Sequence, residues 1–441
     1  MSLLTFRGGV HPYKELDEKK GLTGNQPSKP FSPSVVYIPL DTHIGPPSKP
    51  VVKKDDQVKL GQVIAEPGGD WGIYVHASVS GTVKEVGAMQ MFGKMPSPFI
   101  AIENDKQDSW VELNPCANPK ALPAEELCSI VRNAGICGMG GAAFPTHVKL
   151  SIPQGKSADT IIVNGCECET FLTSDERLMM ERPESIFKGL KIVLKSLNVE
   201  RGIIAVEDNK PLAIAALKAL VPEYEGIEVA TVQAKYPQGG EKQLIEAVLK
   251  REVPRGGLPI DINTIVLNVA TVSAIADAVY EGKPLVKRLC SATGQVKEPA
   301  NLLLPNGTLT KDAVEFCGGY ATEPGKIFVG GSMMGVCIPN DEVPLSKQNN
   351  GFVVLSQKEA KLAEETNCIR CARCVDVCPT RLNPVELRGL LIQDRLDDAE
   401  KSGLEDCILC GACSFVCPAK RRLTATFKLG KDTLAVRRKK A

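Results

Sequence analysis

Net charge is nearly absent from this chain of 441 residues, in which 53 Lys and Arg face 52 Asp and Glu and leave +1. That balance points to no nucleic-acid partner. Long apolar runs are missing too. The longest charge-free stretches, such as Thr264 to Ala276, contain Thr, Asn and Ser and fall short of the roughly 20 apolar residues that cross a bilayer, so no membrane span is expected. The start of the chain lacks the basic segment and apolar core of a signal peptide, and the chain is expected to stay where it is made. Histidine is scarce. The four residues His11, His43, His76 and His147 read as surface or packing residues rather than as metal ligands. No G-x-G-x-x-G fingerprint occurs, and Gly155, Lys156 and Ser157 imitate the end of a phosphate-binding loop whose first glycine position is held by Leu150.

What is present is ordinary globular material with an unusual cysteine content. Apolar residues at 43% and charged residues at 24% suffice to bury real cores. The length argues for three or four domains. Sixteen cysteines in a long chain expected to stay where it is made point to metal in a reducing compartment rather than to a disulfide framework.

Residues 1–34 read as an extended arm. Residues 35–110 contain short β-branched runs broken by turn residues, as in VKKDDQVKLGQVIAE and HASVSGTVKEVG, and resemble the barrel-sandwich fold of biotinyl and lipoyl domains. The hairpin tip that bears the modified lysine there reads Ser78, Val79, Ser80, Gly81 here, so a scaffold role is expected. In residues 119–283 apolar strands at Thr160–Val163, Gly202–Val206, Ile227–Val232 and Thr264–Val269 alternate with helices. The helices are placed from Pro123 to the stop at Gly135, and at Pro211–Leu220, Glu241–Lys250 and Val272–Tyr280. Such alternation implies βαβ units and a parallel sheet. Short strands return in residues 284–345, where TGQVKEPANLLLPNGTL looks like the start of a β-grasp module. Residues 356–420 carry helices at Gln357–Thr366 and Pro384–Lys401, the latter capped by Asn383, and a basic tail of residues 421–441 follows.

The strongest signal is a repeat. Cys368, Cys371, Cys374 and Cys378 precede Pro379, and Cys407, Cys410, Cys413 and Cys417 precede Pro418. Each is the ferredoxin run C-x2-C-x2-C-x3-C-P, in which three thiolates wrap one [4Fe-4S] cluster and the fourth reaches the other. The expected ligand sets are therefore crossed: Cys368, Cys371, Cys374 with Cys417, and Cys407, Cys410, Cys413 with Cys378. Two zinc sites are the alternative reading, but the duplicated run closed by Cys-Pro favours clusters. Two clusters make a one-electron relay.

Four further segments sit where an open α/β sheet binds ligands: GMGGAAFPTHVK (Gly138–Lys149), NGCECETFLTSDERLM (Asn164–Met180), YPQGGEKQL (Tyr236–Leu244) and VLNVATVSAI (Val266–Ile275). Together they resemble the FMN- and NADH-binding subunit of respiratory complex I. Over nearly the whole chain, with FRGGVHPYKELDEKK, PLDTHIGPPSKPVV, the β-grasp region and the double ferredoxin run in the same order, the sequence is similar to the RnfC family, the soluble subunits of Rnf ferredoxin:NAD oxidoreductases.

The resemblance implies a multidomain α/β protein: a barrel-sandwich domain, a central Rossmann-like FMN/NAD-binding domain, a small β-grasp (SLBB) domain and a helical ferredoxin-type domain with two [4Fe-4S] clusters. It implies that Gly138, Gly140, Gly141, Phe144 and Lys149 line non-covalent FMN. Asn164, Glu167, Tyr236, Gly239, Gly240, Asn268 and Thr271 would complete that cradle, with Glu169 and Glu241 facing NAD(H). Ala143, Cys166 and Thr170 depart from the family's usual Gly, Ala and Pro. The methyl group of Ala143 is expected near the flavin face, and the Cys166 and Cys168 pair is expected to line the cleft. FMN is the natural intermediary because nicotinamides exchange hydride and clusters single electrons; no side chain need act as acid or base, and no catalytic residue is named.

The implied partners are integral membrane and other Rnf subunits, ferredoxin indirectly, and NAD(H) as substrate, on the cytoplasmic side of the cell membrane, in a complex coupled to Na+ or H+ transport. The basic tail is expected to touch anionic lipid or a membrane partner. Competing readings are a cobalamin reductase of propanediol metabolism, a soluble NADH-dependent reductase, and a cluster relay without catalysis.

Overall fold

The computed structural model describes residues 3–11, 20–24, 26–91 and 96–440. Residues 12–19, in the middle of the FRGGVHPYKELDEKK stretch, lie outside them. Its centre is a four-stranded parallel sheet built from β1 (Thr160–Gly165), β2 (Arg201–Glu207), β3 (Ile227–Val232) and β4 (Thr264–Asn268) in the order β3-β2-β1-β4. Six helices longer than one turn accompany it: α1 (Ala124–Asn133), α2 (Ser174–Glu181), α3 (Pro183–Leu197), α4 (Pro211–Leu220), α5 (Glu241–Leu249) and α6 (Val269–Tyr280). The inner strands are apolar on both faces because helices cover both. Leu127, Val131, Phe187, Leu190, Val272 and Ile275 fill one side, and Leu244 and Ile245 of α5 pack with Ile162, Ala205 and Val266 on the other.

The boundaries differ from the sequence reading where a cap decides them. Pro123 is the residue before α1 rather than its first, and Gly135, at φ +65, lies just past its end. The last strand stops at Asn268, whose side chain accepts the Ala270 N–H, so α6 starts at Val269 instead of 272. Helix α3 is not among the expected helices, although Ile186, Phe187, Leu190, Val193 and Leu194 repeat at helical spacing. It crosses α6 so closely that a Cβ at Gly189 would run into the Val272 carbonyl.

The barrel-sandwich unit has a four-stranded sheet, Val35–Pro39, Ser97–Asn104, Gly81–Met89 and Gln57–Val58, facing a three-stranded one, Lys49–Pro50, Val63–Glu66 and Val75–His76. Its hairpin tip is buried: the Ser78 hydroxyl donates to the Asn306 carbonyl at 2.6 Å. The β-grasp sheet extends past the expected limit of 345, since Gly351–Ser356 lies between Lys287–Gly294 and Pro324–Val329 as a central strand. The arm is not free. Leu4 and Val10 bridge to Val232 and Tyr236, and Lys29–Pro30 adds an edge strand to the β-grasp sheet beside Ala300–Pro305.

Three of these units meet at one buried cation. Lys347 Nζ donates to the carbonyls of Gly135 at 2.7 Å and Tyr74 at 3.2 Å, joining the β-grasp, α/β and barrel-sandwich units. Burial holds its pKa down to about 8 against a usual 10.5. Between those values the unfolded chain binds the proton and the folded one does not, so this residue makes stability rise with pH from about 8 to 10.5. Lys347→Met is expected to remove that rise, which denaturant midpoints measured at pH 7.5 and pH 10 check.

The C-terminal region departs most from expectation. The first helix is a single turn, Gln357–Ala360, and the second breaks into Pro384–Ile392 and Leu396–Lys401 at Asp394, which has φ +56. The basic tail is a helix, Leu423–Lys440, that docks Leu423, Phe427 and Leu434 into the cluster domain's core. Apolar residues at 423, 427 and 434 form one helical stripe, which the lysine and arginine content obscures.

Candidate functional site

The site is built at the carboxyl ends of the strands. In the order β3-β2-β1-β4 the winding of successive strands reverses between β1 and β4, and open α/β sheets bind ligands at such a crevice. The last rung there pairs Asn164 with Asn268. Asn164 Nδ2 donates to the Gly239 carbonyl at 2.8 Å, and Asn268 Nδ2 to Asp175 Oδ2 at 2.7 Å. The glycine loop lies across this crevice. Gly140, Gly141 and Ala142 are exposed, and a Cβ at Gly140 would meet Asn268 at 3.6 Å. Gly141, at φ +102, presents open space where a side chain would stand.

The loop is clamped at both ends. Met139 N donates to the Thr271 hydroxyl at 2.9 Å, and its carbonyl accepts from Arg288 Nη2 at 3.1 Å. Arg288 comes from the β-grasp sheet, is 3% exposed, and faces buried Asp175 at 3.6 Å. At the far end Lys149 Nζ reaches Glu241 Oε1 and the Val266 carbonyl, both at 2.9 Å. Ala143 adopts φ +50, and its methyl packs with Ile73 and Cys137. It is thus turned into the core, not toward the flavin face as expected. The loop's geometry fits a flat phosphate-bearing ligand: exposed backbone, open space at glycine, and the start of helix α6 beside it.

Three expected contacts are occupied otherwise. Glu167, at φ +50, turns its carboxylate onto the start of α2, where it accepts from the amides of Asp175 at 2.7 Å and Glu176 at 3.1 Å. A carboxylate there meets unsatisfied amides and the positive end of the helix. Glu169 accepts from the amides of Met333 and Met334 at 3.0 and 2.8 Å, which ties the loop to the β-grasp unit. Burial raises its pKa against the lowering effect of those two amides. Tyr236 is 2% exposed and donates its phenol to the Cys410 carbonyl at 2.7 Å. Of the two cysteines, Cys166 is in the core with Ile162, Ala205 and Val232 instead of the cleft. The Cys168 thiol receives Gly239 N at 3.3 Å, and burial raises its pKa.

Eight thiols ring two hollows in the C-terminal region. Cys378, Cys407, Cys410 and Cys413 line one; Cys368, Cys371, Cys374 and Cys417 line the other. Each set combines three residues of one run with the fourth of the other. The two runs fold alike, with left-handed residues at Arg370, Ala372 and Arg381 in the first and at Leu409, Gly411 and Lys420 in the second. These turns aim amides at sulfur, as from Arg370 N to Cys368 Sγ at 3.4 Å. Burial pushes the thiols of Cys410 and Cys413 up to about 12 and about 11, so loading a metal there releases protons. Four thiols around each hollow match the four-cysteine donor set of a [4Fe-4S] cluster.

The first hollow is the one nearest the strand-end site. Besides the Tyr236 bond to Cys410, Gln243 Nε2 donates to the Pro379 carbonyl at 3.4 Å, and Gly9 N to the Val377 carbonyl at 2.9 Å. The second faces outward, with Cys368 and Cys371 exposed and Ile369 68% exposed. Sequence reasoning missed Arg288, Asp175, Lys347 and Trp71. All act across domain boundaries, where spacing along the chain carries no signal.

Four family models match: the RnfC barrel sandwich hybrid domain over residues 4–107, the Nuo51 FMN-binding domain over 131–277, the SLBB domain over 293–336 and the 4Fe-4S dicluster domain over 360–418. The chain is 44% identical over 405 residues to the C subunit of the proton-translocating ferredoxin:NAD(+) oxidoreductase complex of Clostridium ljungdahlii, covering 90% of this chain and 87% of that one. It is 42% identical over 439 residues to the Na(+)-translocating counterpart of Acetobacterium woodii, covering 99% and 98%. The C subunit of the ion-translocating oxidoreductase complex of Rhodobacter capsulatus is 40% identical over 442 residues, with 98% and 84% covered. Among solved structures, an NAD+-reducing [NiFe]-hydrogenase in the H2-reduced state shares the fold, with a TM-score of 0.51 at 20% identity over 73% of this chain and 63% of that one.

Proposed function

The chain belongs to the RnfC family, the C subunits of ion-translocating oxidoreductase complexes, and from that premise we propose how its own residues divide the work. It is an electron-transfer subunit of a ferredoxin:NAD oxidoreductase, with FMN and two [4Fe-4S] clusters as cofactors. When bound, these groups exchange hydride with NAD(H) and pass single electrons onward. The protein supplies position, charge and exclusion of water.

Gly138, Gly140, Gly141, Phe144, Asn164, Gly239, Gly240, Asn268 and Thr271 would hold FMN at the strand-end crevice, with Lys149 as the cation for its phosphate or for that of the dinucleotide. Glu241, paired with Lys149, would border NAD(H). Glu167 and Glu169 keep the loop after β1 in shape, and Tyr236 joins that site to the clusters. Cys378, Cys407, Cys410 and Cys413 would hold the cluster next to the flavin. Cys368, Cys371, Cys374 and Cys417 would hold the outer one, which exchanges electrons with a partner. The observation that carries this reading is the placement of the first cysteine hollow against the Tyr236 loop, one loop away from the crevice.

The partners proposed are integral membrane subunits of the same complex, with this chain peripheral on the cytoplasmic face and ferredoxin reached through them. No helix among the described residues is long and apolar enough to cross a membrane. Arg437 and Arg438 of the tail are already paired with Asp397, Glu400 and Glu405, which leaves the tail a weaker lipid contact than its composition suggests. The cobalamin-reductase and relay-only readings gain no support from the matched FMN-binding domain and the oxidoreductase-complex relatives.

The test is anaerobic dye reduction by the reconstituted chain. NADH is expected to reduce a one-electron viologen-type acceptor, and NADPH to do so poorly because Glu241 repels a 2′-phosphate. A chain that binds FMN and iron but shows no NADH-dependent reduction overturns the reading.

A further inference from the structure

The barrel-sandwich unit does more than brace the α/β domain. Its turn Pro67–Gly68–Gly69–Asp70–Trp71–Gly72 lies against the glycine loop. Trp71 is 47% exposed, and its ring meets Phe144 edge-on, with centroids 5.4 Å apart and planes at 70°. Two aromatic faces at that angle make a corner open to solvent. Lys149 Nζ stands 6.0 Å from the Phe144 ring centroid, so a cation adjoins the aromatic pair.

The corner is held in place. His147 Nε2 bonds the Asp70 carbonyl at 3.0 Å, and Ile44 N donates to the Ala143 carbonyl at 3.1 Å. Gly45, at φ +141, lies under Trp71, where a Cβ would come within 3.0 Å of the Trp71 carbonyl oxygen. Two hydrogen bonds between the domains, with the close approach of Gly45, hold the turn that carries Trp71 against the glycine loop, and preorganisation favours binding.

We infer that Trp71 is a specificity-determining wall against which the adenine half of the nicotinamide dinucleotide packs, so that the barrel-sandwich domain contributes to the NAD(H) site. This rests on the NAD(H) reading above. Hydride exchange places the nicotinamide ring over the flavin. The other ring of the dinucleotide then needs an aromatic surface, and the linking diphosphate needs a cation. Trp71 offers the first and Lys149 the second. Bases stack on aromatic side chains with useful affinity whatever their hydrogen-bond edges.

The experiment uses the full chain loaded with FMN and clusters, and compares NADH with reduced nicotinamide mononucleotide, which lacks the adenosine half. Trp71→Ala is expected to raise KM for NADH about tenfold, equivalent to about 1.4 kcal/mol, with KM for the mononucleotide shifted less than about twofold and FMN content retained. Trp71→Phe should restore most of the NADH affinity. ADP-ribose should quench tryptophan emission in the parent protein and not in Trp71→Phe, where Trp110 is the one tryptophan left. An unchanged KM for NADH in Trp71→Ala, or equal loss with both substrates, overturns the inference while leaving NADH oxidation intact. Failure of the parent protein to oxidise either substrate would instead overturn the functional reading.

Discussion

Cys410→Ser removes the inner cluster and with it electron exit: NADH still bleaches the flavin band of the variant, but reduction of a partner beyond the clusters falls by roughly a hundredfold or more. Cys410 lines the first hollow with Cys378, Cys407 and Cys413, and its carbonyl receives the Tyr236 phenol. It therefore belongs to both the cluster seat and the junction with the flavin site. Iron content is expected to drop from about eight to about four per chain. Crossed ligation makes a sharper claim. Cys378→Ser, though it lies in the other run, should lose the same cluster, and the double variant should be no worse than either single one. Cys417→Ser should behave like Cys368→Ser. Cys337→Ser, exposed and outside both hollows, serves as the control. Anaerobic iron counts and the spectrum of the surviving cluster decide. Pairing of Cys378 with the first run would contradict the account.

Arg288→Met should destabilise the chain by about 3–5 kcal/mol, because it leaves a buried carboxylate without its cation. Arg288 and Asp175 are both nearly inaccessible, and the same guanidinium holds the Met139 carbonyl at the root of the glycine loop. FMN retention should fall with stability. Burial already lifts Asp175 to about 6 against a usual 3.8, with Arg288 opposing that lift and Glu167 adding to it. Between those values the folded state binds a proton that the unfolded state has released, so this residue makes stability fall as pH rises toward 6. Without Arg288 the folded pKa rises further and the loss extends to higher pH. Denaturant midpoints at pH 5 and pH 8 should therefore separate more widely in the variant than in the parent, and Asp175→Asn should narrow the gap again. Equal midpoints for parent and variant at both pH values would show that the pair does not matter.

The sequence was most readable where chemistry dictates spacing. The C-x2-C-x2-C-x3-C-P run is set by the size of a cubane; in the structure Cys378 lines a hollow with Cys407, Cys410 and Cys413, and Cys417 one with Cys368, Cys371 and Cys374. The parallel strands were readable because helices on both faces make them uniformly apolar. The order β3-β2-β1-β4 was not, and it alone brings Asn164 opposite Asn268. Position along the chain puts Glu167 and Glu169 in the loop after β1 but says nothing of their direction. Once φ at Glu167 becomes positive, the carboxylate swings onto a helix start instead of the cleft. Composition misled at the tail, where a basic run hides the stripe of Leu423, Phe427 and Leu434. Trp71, Arg288 and Lys347 gave no signal at all, since each acts on a loop in another domain.

The central claim is that a hydride-accepting site and two crossed clusters work in series within one chain. Stopped-flow mixing of the anaerobic holo-protein with substoichiometric NADH, following flavin and cluster absorbance separately, tests it most directly. The account predicts rapid loss of flavin absorbance, then its partial return as cluster absorbance falls, with the second phase altered in Cys410→Ser and the first preserved. Cluster bleaching that precedes the flavin change, or that is unaffected in Cys410→Ser, would contradict it.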